Sequence, residues 1–410
     1  MATFGILVGG GPAPGINGVI GSAALQAARR GARMLGLLDG FQWLMEGDAA
    51  HVRELVPEEV ARIQLEGGSI LRTSRANPTK REGDLERVVG ALDRLGVDHL
   101  VTIGGDDTSF SARRVAEVAG GRIRVVHVPK TIDNDLPLPP GVPTFGFETA
   151  REHAAHVVQA LAEDCRTTRR WFFVIMMGRT AGHLALGAGK AGGAAVTVIP
   201  EEFPDGPIAI EQVVRVLEGA IVKARSQGRL DGVAVVAEGV AERFDSDDPI
   251  LKDAPRDEHG HVRLAEVPLG KVLRTAVAEA LAARGVTVAL GDKDVGYELR
   301  CVPPSAFDRD YTCDLGVGAV RALLSGTSEA MITRQQAGIV AVPFADIVDE
   351  RTGRTRVRTV DVATDSYANA RALQVRIEPD DLSDPARLEA LSSAAGLSPD
   401  EARARYGGLA

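Results

Sequence analysis

Two β-branched, apolar runs in this chain end in clusters of charge, and few folds tolerate that combination. Val101-Thr102-Ile103 leads into Gly104-Gly105-Asp106-Asp107-Thr108-Ser109, and Ile123 to Val128 leads into Pro129-Lys130-Thr131-Ile132-Asp133-Asn134-Asp135. Short continuous apolar runs of this kind read as strands buried on both faces of a parallel sheet. Open α/β sheets keep their chemistry just beyond the carboxyl ends of such strands. Four acids and a lysine so close together would destabilise a core, unless they bind a cation and a polyanion at once. A divalent metal with phosphate supplies both.

The rest of the chain follows the same plan. Phe4–Val8 reads as a strand, Gly9 to Gly15 as a tight loop and Ile16–Arg30 as a helix. Strand Arg33–Leu38, helix Glu82–Leu95, strand His99–Ile103, helix Thr108–Val118 and strand Ile123–Val128 come next. Alternation of this sort predicts a parallel sheet covered on both faces. Leu136 to Val142 and Pro143 is too rich in proline for a regular element and reads as a passage between domains. Beyond it the pattern repeats: helix Glu148–Glu163, strand Trp171–Met176, a helix from Ala181, strand Ala195–Ile199, helix Ile210–Ser226, strand Gly232–Ala237 and helix Leu269–Ala283. Arg243 to Val262 reads as a polar surface excursion, and Asp380 to Tyr406 as two short amphipathic helices. With 410 residues and about 100–200 per domain, two doubly wound α/β domains are expected.

Composition removes several function classes. A formal charge of −9 disfavours nucleic acid as a partner. Cys165, Cys301 and Cys313 have neither zinc-type spacing nor an even count, so no metal cluster or disulfide frame is indicated. No run approaches the roughly 18 apolar residues of a membrane span, and no basic leader precedes Phe4. A cytoplasmic protein without a membrane partner is the expectation.

The motifs carry alternatives when taken singly. Gly9-Gly10-Gly11-Pro12-Ala13-Pro14-Gly15 lets backbone amides approach an anion at a helix start, or forms a plain structural turn. Asp106 and Asp107 either cap a helix or hold a metal, and Mg²⁺, which takes one or two carboxylates and completes its shell with water and phosphate oxygens, suits Asp106. Asp133 is placed to accept a proton from a sugar hydroxyl, or else belongs to an Asx-turn network. Arg179, in Met176-Met177-Gly178-Arg179-Thr180-Ala181-Gly182-His183, can stabilise charge on a transferring phosphoryl group. His183 reads as structural. Glu238 ends a strand where it can accept from sugar hydroxyls, and Tyr297 and Arg300 of Gly296-Tyr297-Glu298-Leu299-Arg300 can grip a phosphate; exposed surface is the alternative for all three.

Taken in order over roughly residues 4 to 325, the Gly-rich loop, Gly-Gly-Asp, Thr-Ile-Asp-Asn-Asp, Met-Gly-Arg, the strand-ending glutamate and Gly-Tyr-x-x-Arg resemble the phosphofructokinase family. The resemblance implies two doubly wound domains with the active site in the cleft between them. It implies a donor and Mg²⁺ domain over 1–143 plus about 300–345, and a sugar-phosphate domain over 144–299 plus about 346–410. It further implies that Asp106 holds Mg²⁺, that Asp133 is the base, and that Thr131 and Arg179 stabilise the transferring group. Gly11 and Arg75 would contact donor phosphate. Thr131, Asp133, Met177, Gly178, Arg179, Glu238, Tyr297 and Arg300 would bind fructose 6-phosphate. Arg170 matches a residue that enters this site from a neighbouring subunit, so a homodimer or homotetramer is expected.

The same resemblance sorts the donor. ATP-dependent members have glycine in place of both Asp107 and Lys130, whereas pyrophosphate-dependent members carry Asp and Lys there. A carboxylate at 107 crowds and repels a nucleotide's α-phosphate, and Lys130 adds charge for a compact donor. The expected reaction is reversible phosphoryl transfer from pyrophosphate to the 1-hydroxyl of fructose 6-phosphate. An ATP-dependent 6-phosphofructokinase and a catalytically silent sugar-phosphate sensor are the alternatives.

Overall fold

Each expected strand core forms a strand, because its Val, Ile and Leu side chains are buried on both faces. The computed structural model describes residues 1–245, 251, 264–336 and 338–409. Its strands are β1 (Thr3–Val8), β2 (Arg33–Leu37), β3 (Val52–Glu54), β4 (His99–Gly104), β5 (Arg124–Pro129), β6 (Trp171–Met176), β7 (Val196–Val198), β8 (Gly232–Ala237), β9 (Leu290–Val295), β10 (Ala330–Gln335) and β11 (Gly338–Pro343). Among the described residues they form two sheets, ordered β11-β10-β5-β4-β1-β2-β3 and β7-β8-β6-β9. The second is parallel throughout. In the first, only the pairs β2 with β3 and β10 with β11, at the two edges, are antiparallel.

The helices that matter here are α1 (Ile16–Arg29), α2 (Asp84–Arg94), α3 (Asp106–Ala119), α4 (Phe147–Thr168), α5 (His183–Gly192), α6 (Ile210–Ser226), α7 (Leu269–Ala282), α8 (Ala306–Leu324), α9 (Pro385–Ala395) and α10 (Pro399–Tyr406). Strand followed by helix recurs through both halves, the doubly wound α/β architecture that the alternation predicts. No described helix is long and apolar enough to cross a membrane. Most of the excursion Arg243 to Val262 lies outside the described residues.

Two compact units divide the chain: Met1–Ala150 with Glu298–Arg358, and Arg151–Tyr297 with Thr359–Ala410. The first crossing therefore falls inside α4 rather than at the proline-rich segment, which stays in unit 1. The reason is local. Arg358 donates to the carbonyls of Leu138 (3.3 Å) and Val142 (2.9 Å), tying that segment down. Residues 346–358, grouped with the second domain on sequence, likewise lie in unit 1.

In unit 1 the core sits on both faces of the larger sheet. Phe4, Ile6, Val8, Val101, Ile103, Val126 and Val128 pack under α1 and α8, and Leu7, Leu100 and Val125 pack under α2 and α3. The start of α4 is held by a buried carboxylate: Asp308, fully buried on α8, accepts from Gly146 N–H and Thr149 N–H, each at 2.8 Å, and from the Thr149 hydroxyl. An anion there also complements the positive end of the helix. Asp308→Ala strands those buried donors, and a loss of about 2–4 kcal/mol is expected in denaturant unfolding; an unchanged midpoint would refute the role.

In unit 2 the C-terminal helices close the fold. Glu218 on α6 is fully buried and accepts from Arg405 and from the Tyr406 hydroxyl on α10, and it pairs with Arg284 at 2.8 Å.

Candidate active site

The register of the larger sheet brings the expected donor residues together. Val8 is paired with Ile103, and Gly104 with Pro129, so Gly9, Gly105 and Lys130 follow adjacent strand ends. Gly9 N–H donates to Ile103 O and Lys130 N–H to Gly104 O, both at 2.8 Å. Gly104 must lack a side chain, because a Cβ there would lie 2.4 Å from Thr108 Oγ1 at the start of α3. Gly10 adopts φ +79°, the left-handed region, and even a Cβ that fitted would come within 3.3 Å of Lys130 Nζ. Arg75 is exposed and follows Ser74, whose carbonyl accepts from Gly10 N–H at 2.9 Å.

Lys130 is only 5% exposed, and its ammonium donates to the Gly11 carbonyl. Burial pushes its pKa down to about 8; Arg300 lowers it further, while Asp133, Asp135 and Asp106 act in the opposite sense. Arg300 was grouped with the sugar phosphate on sequence. Its guanidinium faces Gly11, where an added Cβ would lie 3.4 Å from Nη1. Two cations therefore converge on the opening glycine loop.

The alternative of a simple helix cap does not hold for Asp106 or Asp107. Gly105 is the cap residue of α3 and no side chain caps it; both aspartates lie inside the first turn. Asp106 keeps access to solvent, yet its carboxyl is held above the ordinary range, first by desolvation and then by the charges of Asp107 and Asp135. A bound cation would relieve that repulsion.

The loop after β5 is stitched to itself. Thr131 Oγ1 accepts from Asp133 N–H at 3.0 Å, and the Thr144 hydroxyl donates to Thr131 O at 2.7 Å. Asn134 takes φ +58°, and its side-chain oxygen accepts from Thr144 N–H at 3.0 Å.

Unit 2 assembles the second set. Met176 is paired with Ala237 on β8 and with Val295 on β9, so Met177, Glu238 and Gly296 share one end of the sheet. Gly178 N–H donates to Glu238 Oε1 at 3.2 Å, and Gly239 N–H to Gly178 O at 3.1 Å. Met177 is buried, and Gly296 leaves room for it, since a Cβ there would lie 2.7 Å from Met177 Cε. Arg179 Nε lies 3.5 Å from Glu242. Tyr297 is 64% exposed. Arg170 is not part of this set: it precedes β6, whose six residues place it roughly 20 Å from Met177 at about 3.3 Å per residue. There it pairs with Asp164 and lies over Phe172.

Sequence reasoning passed over His127. It is fully buried on β5, with Nε2 3.0 Å from Gly104 O and Nδ1 2.9 Å from Thr102 Oγ1. The carbonyl can only accept, so Nε2 carries the proton and Nδ1 accepts from the threonine. Burial holds the ring neutral, with its pKa pushed down to about 3. A histidine inside Val125-Val126-His127-Val128 was the available signal. Glu242 and Arg358 were missed as well.

Backbone freed by glycine, a desolvated lysine and carboxylates at parallel strand ends have the chemistry of a phosphotransferase on a doubly wound frame. The chain belongs to the phosphofructokinase family, whose model matches residues 3–323. A pyrophosphate–fructose 6-phosphate 1-phosphotransferase of Thermotoga maritima is 52% identical over 411 residues, covering 98% of this chain and 97% of that protein. Another of that name from Naegleria fowleri is 48% identical over 413 residues, covering 98% and 94%. Among solved structures, a pyrophosphate-dependent phosphofructokinase from Marinobacter aquaeolei shares the fold with a TM-score of 0.69 at 20% identity, over 97% of this chain and 93% of that one.

Proposed function

We propose that this chain transfers a phosphoryl group reversibly from pyrophosphate to the 1-hydroxyl of fructose 6-phosphate, giving fructose 1,6-bisphosphate and phosphate. The observation that carries the donor assignment is Lys130: a buried ammonium beside the Gly11 backbone and Arg300 suits a small, highly charged anion. Asp107, which follows Asp106 in the first turn of α3, adds a charge that a nucleotide's α-phosphate would meet. The names of the two relatives given above support the same donor and acceptor.

Asp133 accepts the proton of the 1-hydroxyl as that oxygen bonds to phosphorus and the bridging oxygen of pyrophosphate departs with its phosphate. In reverse the protonated Asp133 returns the proton. Thr131 and Arg179 donate to the transferring group, and Gly11, Arg75, Lys130 and Arg300 hold the donor in unit 1. Met177, Gly178, Glu238 and Tyr297 bind the sugar phosphate on unit 2.

Mg²⁺ fits the donor residues. Asp106 and Asp107 stand side by side in the first turn of α3, and such an ion takes one or two carboxylates and draws its other ligands from water and phosphate. Asp106 would hold it, and when bound it neutralises charge on the donor oxygens. Arg170, at the far end of β6, serves a neighbouring protomer in this reading, and sedimentation should show a dimer or tetramer.

The deciding assay offers purified protein fructose 6-phosphate with either pyrophosphate or ATP. Turnover with pyrophosphate and none with ATP is the expected result. Robust ATP activity without pyrophosphate activity would overturn the donor assignment, and sugar-phosphate binding without turnover would leave a sensor instead.

A further inference from the structure

The segment beyond the family-matched residues 3–323 reaches the loop that carries Asp133. Arg358 N–H donates to Asp135 O at 2.7 Å, and its Nε to Asn134 O at 3.1 Å. The same guanidinium donates through Nη2 to Asn134 Oδ1, and through Nη1 to Leu138 O (3.3 Å) and Val142 O (2.9 Å). One side chain thus fastens three backbone carbonyls and the side chain of a residue in the left-handed region, at φ +58°. A non-glycine residue at that φ is uncommon and persists where its surroundings hold it.

We infer that Arg358 is a positioning residue for phosphoryl transfer, setting the loop on which Asp133 meets its substrate. The inference rests on the reading of Asp133 as base. Thr131 Oγ1 fixes Asp133 N–H from the preceding side, and Arg358 fixes the two residues that follow it, so the backbone that carries Asp133 is anchored from both directions. Thr355, three residues before Arg358, places its hydroxyl 3.5 Å from Asp106 O. The same segment therefore also touches the backbone of the residue assigned to the metal. A planar guanidinium with five donors spans these acceptors, whereas a lysine ammonium offers three donors from a single point.

Two variants test this. In Arg358→Ala, kcat should fall about 10–100-fold, as a base displaced by about 1 Å predicts, while KM for fructose 6-phosphate stays within about threefold. Guanidinium at sub-denaturing concentration should restore part of kcat. Arg358→Lys should lose most of the same turnover with its thermal midpoint nearly unchanged; it carries the test if the alanine variant does not fold. Full kcat in the lysine variant would overturn the inference. Amide hydrogen exchange gives a readout independent of activity: residues 131–144 should exchange faster in either variant while β4 is unchanged, and an unaltered loop would also overturn it. If the unmodified protein turns over no donor, the proposed function fails, and exchange still decides whether Arg358 holds the loop.

Discussion

Asp133→Asn is expected to lower turnover by roughly 10²–10⁴, the usual contribution of a positioned general base. Asparagine keeps the size and the N–H contact to Thr131 Oγ1, which is a backbone contact, and loses only the ability to take the proton. Affinity for fructose 6-phosphate should change little, so the loss belongs in kcat and in kcat/KM equally. The same factor should appear in both directions, because the residue that accepts the proton forward returns it in reverse. A variant within threefold of the parent in either direction removes Asp133 from the mechanism.

Lys130→Met should reduce kcat/KM for pyrophosphate by roughly 10²–10³, the range for removing one partner of a desolvated charge pair. Methionine fills similar space but leaves the Gly11 carbonyl without its donor, so a loss of stability of about 1–3 kcal/mol should accompany the change. The pH profile separates this role from mere packing. Lys130 is charged below its pKa of about 8 and neutral above it, so in the unmodified protein the affinity for free pyrophosphate should be high below that pH and fall as pH rises through it. The methionine variant should lack this alkaline limb. Unchanged affinity at neutral pH would show that the donor is held by other groups.

Legibility in the sequence followed how each element is packed. β6, β8 and α6 have the bounds read from their apolar pattern because strong burial dictates them. β9, Leu290 to Val295, went unread because it is an edge strand whose Asp292, Lys293 and Asp294 break any apolar run. Helix α8 was missed for a different reason. It meets α1 through small residues: a Cβ on Gly18 would lie 2.2 Å from Thr312 Oγ1, and one on Gly316 would lie 2.1 Å from Ser22 Oγ. Its buried face mixes Tyr311, Leu315 and Leu323 with Asp308, Thr312, Gly316 and Gly318, and polar and small residues among the large ones blur the apolar period. In the candidate site, the residues proposed to meet ligands through their own side chains are those that motif and spacing single out. His127 and Arg358 act on backbone carbonyls, which every residue has, so nothing in the partner sequence advertises them.

The chain order of unit 1 has a further consequence during synthesis. β5 pairs with β10, but β10 is translated only after the whole of residues 151–297. At about 5–20 residues per second, the edge of β5 waits on the order of ten seconds for its neighbour. Until then the nascent N-terminal segment carries a bare strand edge, the feature through which chains pair wrongly. Fragments ending near residue 290 should aggregate where the full chain does not.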